Sequence, residues 1–148
     1  MVNYFRKYSW IIIVMLCIIG GTIYYMVTGG SGFTMGTDSE KIGIVSGDTS
    51  LFIWYDDMES VNMVDIPEDF GTEVAAGTGN NTVYGSYKND KYGLYTVYLY
   101  TKKQTQCIEI IHKDGVLLIN DSSAKKTQSL YDTLISKTGL QTEQSAAD

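Results

Sequence analysis

The chain has 148 residues, of which 44% are hydrophobic and 19% are charged, and its formal net charge is −6. This length suits one domain, and the composition excludes a multidomain enzyme, a collagen-like fibre and a fully disordered chain. The charges are unevenly placed, because none occurs in residues 8–37.

The uncharged segment contains an apolar stretch, residues 10–28, that is long enough to cross a membrane. As a helix it would be about 28 Å long, close to the hydrocarbon thickness of a bilayer. Aromatic residues near both ends, such as Trp10 and Tyr24, suit the headgroup interface. Arg6 and Lys7 precede the stretch, so the positive-inside rule predicts a cytoplasmic segment 1–9 and a single-pass protein whose C-terminal part lies outside.

A cleaved signal peptide is the alternative interpretation, since small residues follow the apolar stretch in residues 28–32. Signal peptides have apolar regions of about 7 to 15 residues, and this one is longer, which favours an uncleaved anchor. Residues 29–39 are predicted as a flexible glycine-rich linker, residues 40–138 as the folded domain and residues 139–148 as a disordered tail.

The domain begins with strand signals. Residues 41–46 and 50–55 flank Gly47-Asp48 and predict a hairpin. Residues 60–66 alternate between polar and apolar side chains. Residues 68–81, rich in Gly and Thr, predict an irregular loop with a short strand at 73–76.

The second half of the domain carries stronger signals. Residues 92–101 are β-branched or aromatic on both faces, which predicts a central strand covered on both sides. Residues 105–112 and 116–120 flank an Asp-Gly turn and predict a second hairpin.

The period then changes to that of an amphipathic helix, which we expect to end at Gly139 as the C′ residue. Its apolar stripe is Ala124, Thr127, Leu130, Tyr131, Leu134 and Ile135, and its candidate N-caps are Asn120, Asp121 and Ser122. The chain is therefore predicted to be mainly β, with six or seven antiparallel strands and one C-terminal helix.

Several motifs of the second half resemble those of the bacterial pleckstrin-homology-like (PH-like) domains of small membrane proteins from Gram-positive bacteria. They are Gly85-Ser86-Tyr87, Lys91-Tyr92-Gly93-Leu94-Tyr95, Lys113-Asp114-Gly115, Leu118-Ile119-Asn120 and Leu130-Tyr131 with Leu134. The resemblance covers roughly residues 41–138, although Asp121 stands where the family often has proline. It implies a bent barrel of about seven antiparallel strands capped by the C-terminal helix, with no catalytic residue to carry over.

Charge predicts what the domain could bind. Nine cations face all 17 acids beyond residue 28, so nucleic acid and phosphoinositides are not expected partners. Residues 42–87 contain acids and no cation, which suggests an acidic docking loop for a protein partner. Its candidate residues are Asp56, Asp57, Glu59, Glu68 and Asp69. Charge pairing within the fold is the favoured alternative.

The sequence predicts no catalytic centre, metal site or cofactor. His112, the one histidine, lies at a turn, and Cys107 lies in an apolar run typical of a core residue. Cys17 belongs to the predicted span, so an internal disulfide with Cys107 is not expected. Asp56, Asp57 and Glu59 could hold calcium but lack the spaced loop pattern that calcium sites use.

Three functions follow as hypotheses. The favoured one is a membrane-tethered, non-catalytic binding or scaffolding module that engages a protein or peptide partner. The second is a structural accessory subunit of a larger membrane complex, with Gly20 and Gly21 as a close helix contact. The third is a membrane-anchored enzyme of the cell envelope that acts through the acidic loops.

Overall fold

The computed structural model describes residues 32–140, and the predicted span at residues 10–28 lies outside them. Within residues 32–140, no helix combines the length and apolar character needed to cross a bilayer. These residues form nine strands, a short 3-10 turn at Tyr55–Asp57 and one C-terminal helix, which confirms the mainly β prediction. The strands are β1 (Thr34–Thr37), β2 (Lys41–Ser46), β3 (Thr49–Trp54), β4 (Met58–Asp65), β5 (Thr72–Gly79), β6 (Thr82–Asn89), β7 (Gly93–Tyr100), β8 (Gln106–His112) and β9 (Gly115–Ile119).

The first sheet consists of β1, β2 and β3, all antiparallel. The predicted β2–β3 hairpin is confirmed, and Gly47 takes the positive φ of 56° that its tight turn requires. Order begins earlier than predicted, because β1 lies inside the segment assigned to the linker. The reason is Phe33, which is buried and packs its ring against Tyr84, Tyr98 and Tyr100.

The second sheet has six strands in the order β4-β8-β9-β7-β6-β5. Its β8–β9 hairpin confirms the predicted Asp-Gly turn. The strand pairs are antiparallel except β7 and β9, which run parallel. This pair departs from the predicted antiparallel arrangement because β9 lies between β7 and β8. The chain crosses from β7 to β8, and the β8–β9 hairpin then brings β9 back next to β7 in the same direction as β7.

The segment predicted as an irregular loop forms β5, an eight-residue strand at the edge of the second sheet. Its glycines do not disrupt it, because Gly77 leaves room for the ring of Tyr84 on the neighbouring strand. The pairing with β6 shifts register between Glu73 and Ala75, a β-bulge that bends the strand.

The two sheets remain open and are not closed into a barrel. The predicted bent barrel of about seven antiparallel strands is therefore wrong in closure, in strand number and in one strand direction. The physical reason is that β4 and β5, the edge strands of the six-stranded sheet, do not pair with each other. The three-stranded sheet packs on one face of the six-stranded sheet.

The six-stranded sheet buries side chains on both faces, as the composition of β7 predicts. Ile108 and Ile110 of β8 point into a core shared with the first sheet and the helix. Cys107 lies on the opposite face with Tyr95 and Val97.

The C-terminal helix, α1 (Ala124–Thr138), buries Thr127, Tyr131 and Leu134. It packs against β4, β8 and the 3-10 turn. Its C-terminus is confirmed at Gly139, which has a φ of 67°. Its N-cap is Ser123 rather than one of the three predicted residues, since the Ser123 side chain accepts a hydrogen bond from the N–H of Lys126.

Candidate functional site

The predicted acidic residues do not form one surface. Asp56, Asp57 and Glu59 lie at the start of β4, whereas Glu68 and Asp69 follow its other end. From Glu59, near its first end, β4 runs to Asp65, which corresponds to about 20 Å at the usual rise per residue. The structure therefore offers two small acidic groups in place of a single docking loop.

The first acidic group is engaged by the fold itself. The Lys113 ammonium lies 2.7 Å from a carboxylate oxygen of Asp57, and the Lys113 N–H donates to the Asp57 carbonyl at 3.2 Å. This contact fastens the β8–β9 turn to the 3-10 turn. The hydrogen bond to Asp57 raises the pKa of Lys113, so the ammonium keeps its charge at neutral pH.

The second acidic group shapes the crossing between β4 and β5. The Asp69 carboxylate accepts a hydrogen bond from the Gly71 N–H at 2.7 Å, a local turn interaction. The same crossing carries Phe70, whose carbonyl accepts a hydrogen bond from the Tyr95 hydroxyl at 2.7 Å. Asp69 thus stabilises a segment that covers part of the second face of the six-stranded sheet.

His112 ends β8, and its Nδ1 accepts a hydrogen bond from the Asp114 N–H at 3.4 Å. Burial lowers its pKa below the usual value, while the carboxylates of Asp114, Asp57 and Glu59 act in the opposite direction. The imidazole is therefore mainly neutral at pH 7 and takes part in the turn.

A polar cluster that the sequence analysis missed lies on the second face, beside Cys107. Tyr92 donates a hydrogen bond from its hydroxyl to the buried carboxyl group of Glu109. Lys91 adds its ammonium, 2.6 Å from the Tyr92 hydroxyl and 3.7 Å from the Glu109 carboxyl group. The sequence signal that could have revealed this cluster is Glu109, an acid within an apolar strand. It lies two residues from Cys107, so both side chains are on the same face of the sheet.

Burial keeps the Tyr92 hydroxyl and the neighbouring Cys107 thiol protonated at neutral pH. Burial raises the pKa of Tyr92 far above its usual value, and the hydrogen bond to Glu109 adds to the effect. Burial also raises the pKa of the Cys107 thiol to about 12. Because the thiolate is the nucleophilic form of cysteine, Cys107 is not an activated nucleophile.

A groove opens between the β2–β3 turn and the strands β5, β6 and β7, with a volume of about 440 Å³. We call it the hydroxyl groove, because six of its ten lining residues carry a side-chain hydroxyl. The lining residues are Ser46, Thr49, Ala75, Ala76, Gly77, Tyr84, Gly85, Ser86, Thr96 and Tyr98. Its volume falls within the range of about 300 to 1,000 Å³ that is usual for ligand sites.

Strand register builds the floor of the hydroxyl groove. Tyr84 lies opposite Tyr98, and Ser86 lies opposite Thr96, so two pairs from β6 and β7 present hydroxyls on one face. Small residues of β5 keep the space above the floor open. The sequence analysis missed this site because the individual strands do not reveal which residues lie opposite one another.

The chemistry of the hydroxyl groove suits binding rather than catalysis. None of its lining residues is an acid, a histidine, a cysteine or a cation, so it offers hydrogen bonds but no general base of ordinary pKa. In residues 32–140, no group of three or more His, Cys, Asp or Glu side chains is placed to hold a metal ion.

Comparison of the chain with protein-family models, with curated proteins and with solved structures finds no match.

Proposed function

We propose that this protein is a membrane-tethered, non-catalytic binding module whose domain engages an extended peptide segment of a partner protein. Residues 10–28 anchor it, and the domain lies outside the membrane with the N-terminus in the cytoplasm. The observation that carries the proposal is the hydroxyl groove lying beside β5, an edge strand. The resemblance to PH-like domains agrees with a binding role, since it brings no catalytic residue.

Edge strands expose backbone N–H and C=O groups, and proteins usually protect them with lysine, proline or a bulge. The first half of β5 contains its bulge and Glu73. The second half, Ala76 to Gly79, has no such residue. An extended peptide can pair with this half, and the side chains on its groove-facing side then lie along the rim of the groove that β5 forms.

The hydroxyl groove also limits which peptide it accepts. Ser86 and Thr96 can donate and accept hydrogen bonds, whereas the lining has no charge to pair with a charged side chain. Burying an unpaired charge costs several kcal/mol, which is more than a few hydrogen bonds return. We therefore expect a segment with small or uncharged polar side chains.

The experiment selects extended heptapeptides from a displayed library on the full chain in lipid nanodiscs, with empty nanodiscs as the background. Backbone hydrogen exchange then locates the bound peptide. Selected peptides should slow exchange in Thr72–Gly79, and Thr96→Arg should abolish their binding by filling the groove. The matched control, Asp56→Asn with Glu59→Gln, alters exposed acids outside the groove and should leave binding unchanged.

Two results would contradict the proposal. One is protection centred on residues 56–59 and loss of binding in the control variant, which would assign binding to the acidic turn. The other is failure to select any peptide above the empty-nanodisc background.

A further inference from the structure

The outer face of the three-stranded sheet carries exposed aromatic side chains that the hydroxyl groove does not use. Strand alternation buries Ile42, Ile44 and Ile53 and turns the intervening residues outward. We call the outward set the aromatic face; it comprises Lys41, Val45, Phe52 and Trp54.

These apolar side chains are unusually accessible. Phe52 is 54% exposed, Trp54 45% and Val45 43%. Five large hydrophobic residues are exposed within residues 32–140, and three of them lie on this face. Grouped apolar exposure of this kind marks an interaction surface, whereas single exposed residues need no explanation.

Register gives the aromatic face its shape. Lys41 lies opposite Trp54, and its ammonium stands 4.6 Å from the Trp54 ring centroid and 5.2 Å from that of Phe52. Phe52 lies opposite Gly43, and its ring reaches across that glycine. Next to the ring, a shallow groove of about 380 Å³ runs over Gly36 and Gly43. The face is therefore a low aromatic ridge with a cation at its end.

This combination of side chains fits the headgroup region of a bilayer. Tryptophan is enriched there because its ring is apolar while its N–H can hydrogen-bond. Lysine can lay its aliphatic stem along apolar surface while its ammonium reaches phosphate oxygens. Asp38, an acid that lines the adjoining shallow groove, uses its carboxylate to accept hydrogen bonds from the N–H groups of Glu40 and Lys41.

The connector between the predicted span and the folded domain is short. Gly32 is held to the domain, because its carbonyl accepts a hydrogen bond from the Ser46 hydroxyl at 2.8 Å, and Phe33 is buried. Only residues 29–31 then separate the predicted span from this fixed point, so Thr28 and Gly32 can be at most about 14 Å apart. The sheet with the aromatic face begins immediately afterwards, at Thr34.

We propose that the aromatic face docks the domain on the zwitterionic headgroup interface of the membrane that holds its anchor. The inference rests on the membrane anchor of the proposed function and adds an orientation to it. Beyond residue 28 the chain has more acids than cations, so a strongly anionic bilayer surface would repel the domain. We therefore assign docking to zwitterionic lipid. The partner-binding groove is then held at a fixed height above the bilayer.

The test uses the two tryptophans of the full chain as separate reporters in phosphatidylcholine nanodiscs. Trp10→Phe leaves Trp54, and Trp54→Phe leaves Trp10. Brominated phosphatidylcholines quench tryptophan on contact. Docking predicts that Trp54 loses more fluorescence with bromines near the headgroups than with bromines at the chain ends. In the Trp10→Phe background, Val45→Glu with Phe52→Ser should abolish this loss, whereas the matched control Leu94→Ser, at an exposed position on β7, should preserve it.

The outcomes separate this inference from the proposed anchor. Absence of Trp10 quenching would refute the anchor. Quenching of Trp10 without quenching of Trp54, together with free access of aqueous iodide to Trp54, would refute docking alone. Shielding of Trp54 from iodide without lipid quenching would show that a protein surface covers the face, and would also overturn docking on lipid.

Discussion

Asn120 uses its side chain to complete the backbone hydrogen bonding of Tyr100. Its amide oxygen accepts from the Tyr100 N–H at 2.7 Å, and its amide nitrogen donates to the Tyr100 carbonyl at 2.9 Å. The same amide nitrogen lies 3.4 Å from the carbonyl of Gln106. Because Asn120 is fully buried, one side chain joins the ends of β7 and β9 to the start of β8, where the parallel pair would otherwise leave polar groups unsatisfied.

Replacing Asn120 with aspartate should destabilise the domain strongly. The carboxylate keeps the acceptor for the Tyr100 N–H but loses the donor, and it faces two carbonyl oxygens without water. We expect a loss of more than about 2 kcal/mol in unfolding free energy, measured by urea unfolding of the full chain in detergent with near-ultraviolet circular dichroism. The control is Asn81→Asp, at an exposed turn position, which should change stability by less than about 0.5 kcal/mol. Equal losses would refute this role of Asn120.

Gly85 should tolerate substitution less well than Gly47, although both have positive φ. A Cβ on Gly85 would strike the Ala75 carbonyl across the β5–β6 pair, and its φ is 117°. At Gly47 a Cβ meets nothing within 4 Å. Gly47→Ala should cost about 1 to 2 kcal/mol through left-handed backbone strain, and Gly85→Ala more, because β5 must also move. Urea midpoints of the two variants test this, and a smaller loss at Gly85 would contradict it.

Local patterns predicted the elements whose signals are contained in a few neighbouring residues. The two hairpins follow from Gly-Asp and Asp-Gly turns between apolar runs, and α1 follows from its period and Gly139. The central position of β7 follows from its β-branched and aromatic residues on both faces. Each of these predictions rests on residues close together in the sequence and does not require the pairing of strands that are distant in the sequence.

The remaining features depend on contacts between distant residues. β1 forms because Phe33 finds three tyrosine rings from β6 and β7, and β5 forms because Gly77 accommodates Tyr84. Sequence periodicity does not encode either contact. The hydroxyl groove likewise requires the β6–β7 register, and the open sheets follow from which edge strands stay unpaired. Whether the sheets close into a barrel therefore depends on which distant strands pair, and local propensity cannot predict this.

Tyr92 should stabilise the fold through Glu109 rather than through its ring alone. Tyr92→Phe removes one hydroxyl and leaves the buried Glu109 carboxyl group without its tyrosine donor. We expect a loss of about 1 to 3 kcal/mol in unfolding free energy. Combining it with Glu109→Leu should recover part of the loss, because both polar partners are then absent. Thermal unfolding of the single and double variants measures this coupling, and strictly additive losses would refute it.

Alkaline pH should weaken the domain through its buried tyrosines. Burial raises the pKa of Tyr95 to about 12 and also raises the pKa values of Tyr92 and Tyr87 on the same face. The unfolded chain releases these protons near pH 10, so the folded chain binds more protons above that pH. Stability contributed by these groups is complete below pH 10 and falls as pH rises toward about 12.

Removing the hydroxyl of Tyr95 tests its share of the stability loss at alkaline pH. Tyr95→Phe removes one of the raised pKa values, together with the hydrogen bond to the Phe70 carbonyl. This variant should be less stable than the parent at neutral pH, yet it should lose less stability between pH 10 and 12. Urea midpoints across this interval, with phenolate absorbance followed in parallel, measure both quantities. A parent whose stability stays constant while phenolate forms, or a variant with the same pH slope as the parent, would show that Tyr95 does not contribute to the alkaline loss.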